Sequence, residues 1–222
     1  MGRMRRLLIL PLLCALAAVL PACSTMNSWF GGNSEEDARK QMQWTYGSNA
    51  ITVEVKPDPN LNLFGGQPHT LALGVYQTAD PNTFISLLND PAAIGKLFAT
   101  GYASAGTLGF TRYIIEPGKP KTITVDRAQN AKYVGIVAGY FKMDPQNTAR
   151  LFQIPVVVKT SGWIIHTRVA SPGNVVINLL LGTEQLVNAL RIRQPEEGKP
   201  KEGEAEVETG QVNLLTPAEG GK

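Results

Sequence analysis

ITVEVK, residues Ile51 to Lys56, sets an apolar side chain at every second position: Ile51, Val53 and Val55 alternate with Thr52, Glu54 and Lys56. A period of two is the signature of a strand with one buried face. Downstream, PDPNLNLFGGQPH (Pro57 to His69) is crowded with breakers and reads as a long loop, and TLALGVYQ (Thr70 to Gln77) is the next strand. The rhythm then changes. In Asp80 to Thr100, Phe84, Leu87 and Leu88 fall at i, i+3, i+4, as do Ile94, Leu97 and Phe98. That spacing predicts two short helices divided at Pro91. Strand texture returns up to Ile115 and turns at Glu116-Pro117-Gly118-Lys119. It then recurs up to Asp126, Phe141, Lys159, Ala170 and Leu181, with Pro155 expected at an edge or bulge. TEQLVNAL (Thr183 to Leu190) reads as a short helix. About eight closely spaced strands without strand–helix alternation predict a mainly β chain. The expected fold is an antiparallel β-sandwich over residues 47–190 with a small helical insertion at about 80–100.

Upstream, AVLPACSTM (Ala18 to Met26) puts a cysteine directly behind a greasy run. Arg3, Arg5 and Arg6 precede 14 almost unbroken apolar residues, Leu7 to Leu20. A membrane span needs about 20, whereas a signal-peptide core is shorter. Leu20-Pro21-Ala22-Cys23 resembles a lipobox, with Pro21 an unusual residue at its position. Residues 1–22 are then the signal, Cys23 becomes the acylated first residue, and 23–46 form a tether. Two or more acyl chains make such an anchor stable, at about 0.8 kcal/mol per buried methylene. A weak capping box, Ser34 with Asp37, predicts one or two helical turns in the tether. Residues 191–222, charged and rich in Pro and Gly, are expected to be a disordered tail.

Processing also corrects the charge. The 21 Lys and Arg include the three signal arginines, so the mature chain holds 18 against 18 Asp and Glu, and nothing in that balance asks for nucleic acid. The two cysteines, Cys14 and Cys23, both lie in the leader and its cleavage site, which leaves the mature fold to its packed core. About 200 residues bury roughly 70% of their unfolded surface in one domain.

Catalytic and metal-binding patterns find little support. His69 and His166 are the only two histidines, far apart in sequence, which argues against the usual zinc site. GYASAG (Gly101 to Gly106) has the wrong spacing for a nucleophile elbow, and EPGKPK lacks the first glycine of a phosphate loop. Asp58, Asp80, Asp126 and Asp144 stand beside turns, where Asp bonds backbone. GIVAG (Gly135 to Gly139) lies in a strand, so its two glycines point to close packing rather than to a membrane contact. The expectation is a non-enzyme with no metal and no cofactor apart from the lipid on Cys23. The loop Pro57 to His69 remains, with Leu61, Leu63 and Phe64 among breakers. Either it folds over the end of the sandwich and buries them, or they form a docking patch.

In order, Leu61-Asn62, Gly66-Gln67-Pro68, Val75-Tyr76-Gln77, Phe84, Pro117-Gly118 and Val134-Gly135-Ile136-Val137-Ala138 resemble the type VI secretion lipoprotein family, TssJ. Thr78 departs from the leucine usual in that pattern. The resemblance implies a transthyretin-like β-sandwich facing the periplasm from the outer membrane. It implies docking to the periplasmic C-terminal domain of TssM, within a complex that also contains TssL. The implied contact is the loop between the first two strands: Asn60, Leu61, Asn62, Leu63, Phe64, Gly65, Gly66, Gln67 and Pro68. Ser24, not Asp, follows the cysteine, which favours the outer membrane. A second reading is a lipoprotein that binds a glycan or other small ligand, although Trp163 and a few tyrosines offer few sugar platforms.

Overall fold

The computed structural model describes residues 29, 31–101 and 105–192. The expected signal segment, Cys23, the serine of GYASAG and residues 193–222 of the expected tail lie outside them. Ten strands are present: β1 (Gly47–Pro57), β2 (Leu71–Thr78), β3 (Thr107–Ile115), β4 (Lys121–Arg127), β5 (Tyr133–Gly139), β6 (Ala149–Gln153), β7 (Val156–Ser161), β8 (Thr167–Pro172), β9 (Val175–Leu181) and β10 (Leu186–Ile192). The helices are α1 (Glu35–Gln41), α2 (Pro81–Leu88), α3 (Pro91–Thr100) and α4 (Pro145–Thr148). The described chain divides into two compact units, 43–157 with 172–192, and the residues up to 42 with 158–171.

The first unit is a β-sandwich. One sheet runs β10-β9-β1-β4 and the other β3-β2-β5-β6. Ile51, Val53, Val55, Ile177 and Leu179 of the first face Leu73, Val75, Val134 and Ile136 of the second in one buried cluster. The sandwich is not wholly antiparallel, because β1 pairs in parallel with β9, from Ile51↔Val175 to Pro57↔Leu181. The expected strand count of eight becomes ten for two reasons. Pro155 separates β6 from β7, since proline has no N–H to give a ladder. The TEQLVNAL segment, expected as a helix, instead supplies β10, and Arg191 and Ile192 belong to that strand rather than to the tail.

The outer face of β2 and β5 is covered by the helical insertion. Asp80 and Asp90 cap the amides at the starts of α2 and α3, each followed by proline at the first helical position. The division at Pro91 is as the spacing predicts. Phe84, Leu87, Ile94 and Leu97 pack with Tyr76, Val137 and Leu151 in a second cluster, so β2 is buried on both faces. Gly135 explains GIVAG. A Cβ there would lie 2.4 Å from the Phe84 ring, which is fully buried and packed at 5.3 Å against Tyr76. Gly135→Ala should therefore cost about 2 kcal/mol by overpacking, read as a lower urea midpoint with unchanged slope.

Between the sheets, Gln77 makes a polar bridge. Its Nε2 donates to the Asp126 carbonyl at 2.9 Å, and its Oε1 accepts from the Ala128 amide at 2.8 Å. Next to it, Arg127 is 4% exposed. Its Nη1 donates to the Gly173 carbonyl at 2.9 Å and its Nη2 to that of Thr45 at 3.2 Å.

The second unit contains α1 and the β7–β8 hairpin. Ser34 and Asp37 form the capping box on α1, with Ser34 Oγ accepting from the Asp37 amide at 3.0 Å. The expected strand GWIIHTRVA is in fact a turn, Gly162 to His166, followed by β8. Gly162 has φ +95°, and a Cβ on it would lie 1.9 Å from the Ile165 carbonyl oxygen, so the turn requires glycine.

Candidate functional site: an aromatic loop tip

The loop between β1 and β2 is rigidly built. Asp58 starts it by accepting the Asn60 amide at 2.7 Å, while the Asp58 amide donates to the Leu181 carbonyl at 2.8 Å. The Gly118 amide of the β3–β4 turn donates to the Asp58 carbonyl at 3.1 Å, so two segments of the sequence pattern meet here. Leu61 turns inward and is fully buried. Asn62 takes φ +52°, a conformation that asparagine tolerates better than most residues. Its side chain is also buried. Nδ2 donates to the Thr70 carbonyl at 3.0 Å and Oδ1 accepts from the Phe141 amide at 2.9 Å.

Phe64 and Gln67 exchange backbone hydrogen bonds of 3.0 and 3.1 Å around Gly65 and Gly66, whose φ values are +58° and +76°. Two consecutive positive φ angles define a type I′ turn, which glycine alone accepts freely. Phe64 is thereby lifted to the tip and left 61% exposed. Its ring stacks on that of Phe141, 56% exposed, at a centroid distance of 4.6 Å, and the His69 ring meets Phe141 edge-on at 5.2 Å. The His69 ring is held by its Nδ1 at 2.9 Å from the Gln67 carbonyl.

Beside these rings lies a groove of about 340 Å³ lined by Leu63, Tyr140, Lys142, Thr183 and Glu184 among others. Tyr140 forms its floor. Its hydroxyl donates to the Gly182 and Gln185 carbonyls at 3.1 and 2.9 Å, fixing the β9–β10 turn. Burial, with the nearby Asp58 charge second, pushes the phenol far above the ordinary tyrosine range. The native state therefore keeps this proton after the unfolded chain loses it near pH 10. The stabilisation is complete below that pH and is lost as the pH rises further. Tyr140→Phe should cost about 1 kcal/mol at pH 8 and flatten the alkaline fall, measured by urea unfolding at stepped pH.

Of the nine loop residues expected to make contact, Asn60, Phe64, Gly65, Gly66, Gln67 and Pro68 are exposed and Leu63 is half-buried. Leu61 and Asn62, expected at the surface, are instead internal struts. The burial expected as one fate of the loop holds for Leu61, whereas Phe64 is left exposed. Phe141 and His69 complete the face. By sequence Phe141 is only the end of a strand, and the one signal for its role is its position just past the buried Tyr140. The turn aspartates have structural partners. Asp80 and Asp144 cap helix starts, and Asp126 accepts from the Asn49 amide and the Tyr46 hydroxyl, which hold its carboxyl below the usual range. Among the described residues, no cluster of three His, Cys, Asp or Glu could hold a metal, and no helix is long and apolar enough to cross a membrane.

Two facing sheets, helices inserted after β2 and a stiff aromatic loop between the first two strands define a loop-bearing β-sandwich. The chain belongs to the type VI secretion lipoprotein family (VasD, EvfM, TssJ), whose model matches residues 49–168. Among solved structures, it is similar to the T6SS lipoprotein TssJ1 from Pseudomonas aeruginosa (18% identity, TM-score 0.48, covering 68% of this chain and 98% of that one). It is also similar to Serratia marcescens Lip, a membrane-bound component of the type VI secretion system (15%, TM-score 0.47, covering 64% and 96%). A third match is a chain in the structure of the TssM C-terminal domain from EAEC (17%, TM-score 0.39, covering 62% and 97%). Among curated proteins, none matches the chain.

Proposed function

We propose that this chain is a structural subunit of a type VI secretion membrane complex, anchored through acylated Cys23 in the outer membrane and facing the periplasm. In this reading the sandwich docks the periplasmic C-terminal domain of TssM, in a complex that also contains TssL. One observation carries the docking surface. The Phe64–Phe141 stack stands in water on a loop whose backbone is locked by Asn62, Asp58 and a type I′ turn. Large aromatic side chains held rigid before binding lose little entropy on docking, which is why such residues dominate interfaces. Family membership and the lipobox support the setting. Tethering adds local concentration, because a lipid-held module meets its partner in a thin layer rather than in bulk.

The test is calorimetric titration of the mature chain, begun at Ser24 and free of lipid, against the periplasmic domain of the cognate TssM. Saturable binding is the expected outcome. A folded parent that shows no heat and no co-migration on a sizing column would overturn the docking.

A further inference from the structure

The β7–β8 hairpin ends in a turn that breaks the usual chemistry of turns. Trp163 is 93% exposed and Ile164 84%, with Ile165 and Val169 also exposed. Turn tips normally carry polar or breaker residues, and three large apolar side chains in succession ask for a cover. We propose that this tip, Trp163-Ile164-Ile165, lies in the interface of the lipid bilayer that holds the anchor. The inference rests on the acylation of Cys23 given above.

Two observations choose lipid as the cover. The first is the reach of the tether. Asn33 is clamped to β8. Its Nδ2 donates to the Arg168 carbonyl at 2.7 Å, its Oδ1 accepts the Arg168 amide at 2.5 Å, and Arg168 Nη1 donates to the Asn33 carbonyl at 2.7 Å. The Asn33 side chain thus pairs with β8 as a neighbouring strand would. Asn33 stands ten positions after Cys23, a span of at most about 35 Å when fully extended. The tip is four residues of hairpin beyond the clamp, about 13 Å. The described chain nearest the anchor is thus clamped at Asn33 to the hairpin that carries the apolar tip.

The second observation is charge. Residues 156–172 contain two ionised side chains, Lys159 and Arg168, both cationic, and no carboxylate. Tryptophan at the headgroup level, with cations behind it, matches an anionic bilayer surface. Within the turn, the His166 ring nitrogen Nδ1 lies 3.2 Å from the Gly162 carbonyl. Together the lipid and the tip give this unit two points of attachment, so it is held in a fixed orientation on the membrane.

The experiment uses the full mature chain carrying its native lipid. It is reconstituted in phosphatidylethanolamine–phosphatidylglycerol vesicles with plain or brominated acyl chains. With Trp29, six residues past the anchor, replaced by Phe throughout, bromolipid should quench the share of one of the two remaining tryptophans, and Trp163→Phe should remove that quenching while the protein still floats with the vesicles. Mass spectrometry of the Cys23 peptide reads the anchor separately. Acyl mass on Cys23 with no bromolipid effect, or with quenching that survives Trp163→Phe, overturns the immersion and leaves the anchor standing. A Cys23 peptide without acyl groups overturns the anchor and the immersion with it.

Discussion

Phe64→Ala combined with Phe141→Ala should weaken binding to the TssM periplasmic domain by about a hundredfold or more while moving Tm by less than about 2 °C. The two halves of this expectation have separate causes. Both rings are more than half exposed and stack chiefly on each other, so removing them forfeits little native packing. In the proposed complex the same rings would become fully desolvated, and a buried aromatic anchor commonly costs 2 kcal/mol or more on truncation. Leu61→Ala should behave in the opposite way. Its side chain is fully buried, so the loss falls on stability, about 3 kcal/mol, with binding impaired only as far as the loop loosens. Calorimetry beside thermal melts separates the two cases. A double variant that binds as tightly as the parent would move the docking surface away from the loop.

Arg127→Met should lower stability by about 3 kcal/mol, which for a chain of this size is a fall in Tm of roughly 10 °C. Among the described residues its hydrogen bonds all go to backbone carbonyls, those of Thr45, Pro172 and Gly173. Burial lowers its pKa from the ordinary value, yet an arginine stays charged, and the oriented carbonyls stand where a counter-ion would. Methionine fills similar space but leaves at least two carbonyl oxygens without a donor. Arg127→Lys should recover only part of the loss, because one ammonium cannot span both groups as a planar guanidinium does. The neighbouring Gly47 provides a control. A Cβ on it would lie 2.8 Å from Arg127 Nη2, so Gly47→Ala should destabilise by disturbing the same bonds. Equal melting of parent and Arg127→Met would refute this account.

Those elements of the fold whose local pattern and burial agree were readable in advance. ITVEVK alternates because β1 buries one set of side chains against the other sheet. The insertion was legible because Asp-Pro marks both helix starts and the apolar spacing matches their buried faces. TEQLVNAL misled for a specific reason. The pairing of β10 with β9 shifts between Leu186 and Asn188, so the buried side chains fall at Leu186 and Ala189, three apart as on a helix. A bulge in one strand imitated the other period. GWIIHTRVA misled because its turn is apolar, and period-two reading has no means of telling an exposed isoleucine from a buried one.

The site was legible as a segment but not as a surface. Breakers located the loop, and the resemblance marked the same residues. Which of Leu61, Leu63 and Phe64 points outward depends on Asn62 at positive φ and on the Gly65-Gly66 turn, and the direction of a side chain in irregular backbone has no period to reveal it. Phe141 joins Phe64 from 77 residues away through the Asn62 hydrogen bond to its amide, a long-range contact that local pattern does not carry.

The parallel pairing of β1 with β9 also sets a timetable. Ile51 and Val175, partners in that ladder, are 124 residues apart, and closing a long loop costs entropy before any contact repays it. The antiparallel pairs β2–β3 and β2–β5, whose partners are at most 67 residues apart, can meet earlier. β1 must wait, extended and with one hydrogen-bonding edge open, until nearly the whole described chain is available. In the proposed periplasmic setting that delay would fall on the far side of the membrane, and the open edge of β1, completed by one of the last strands, would need shielding in the interval.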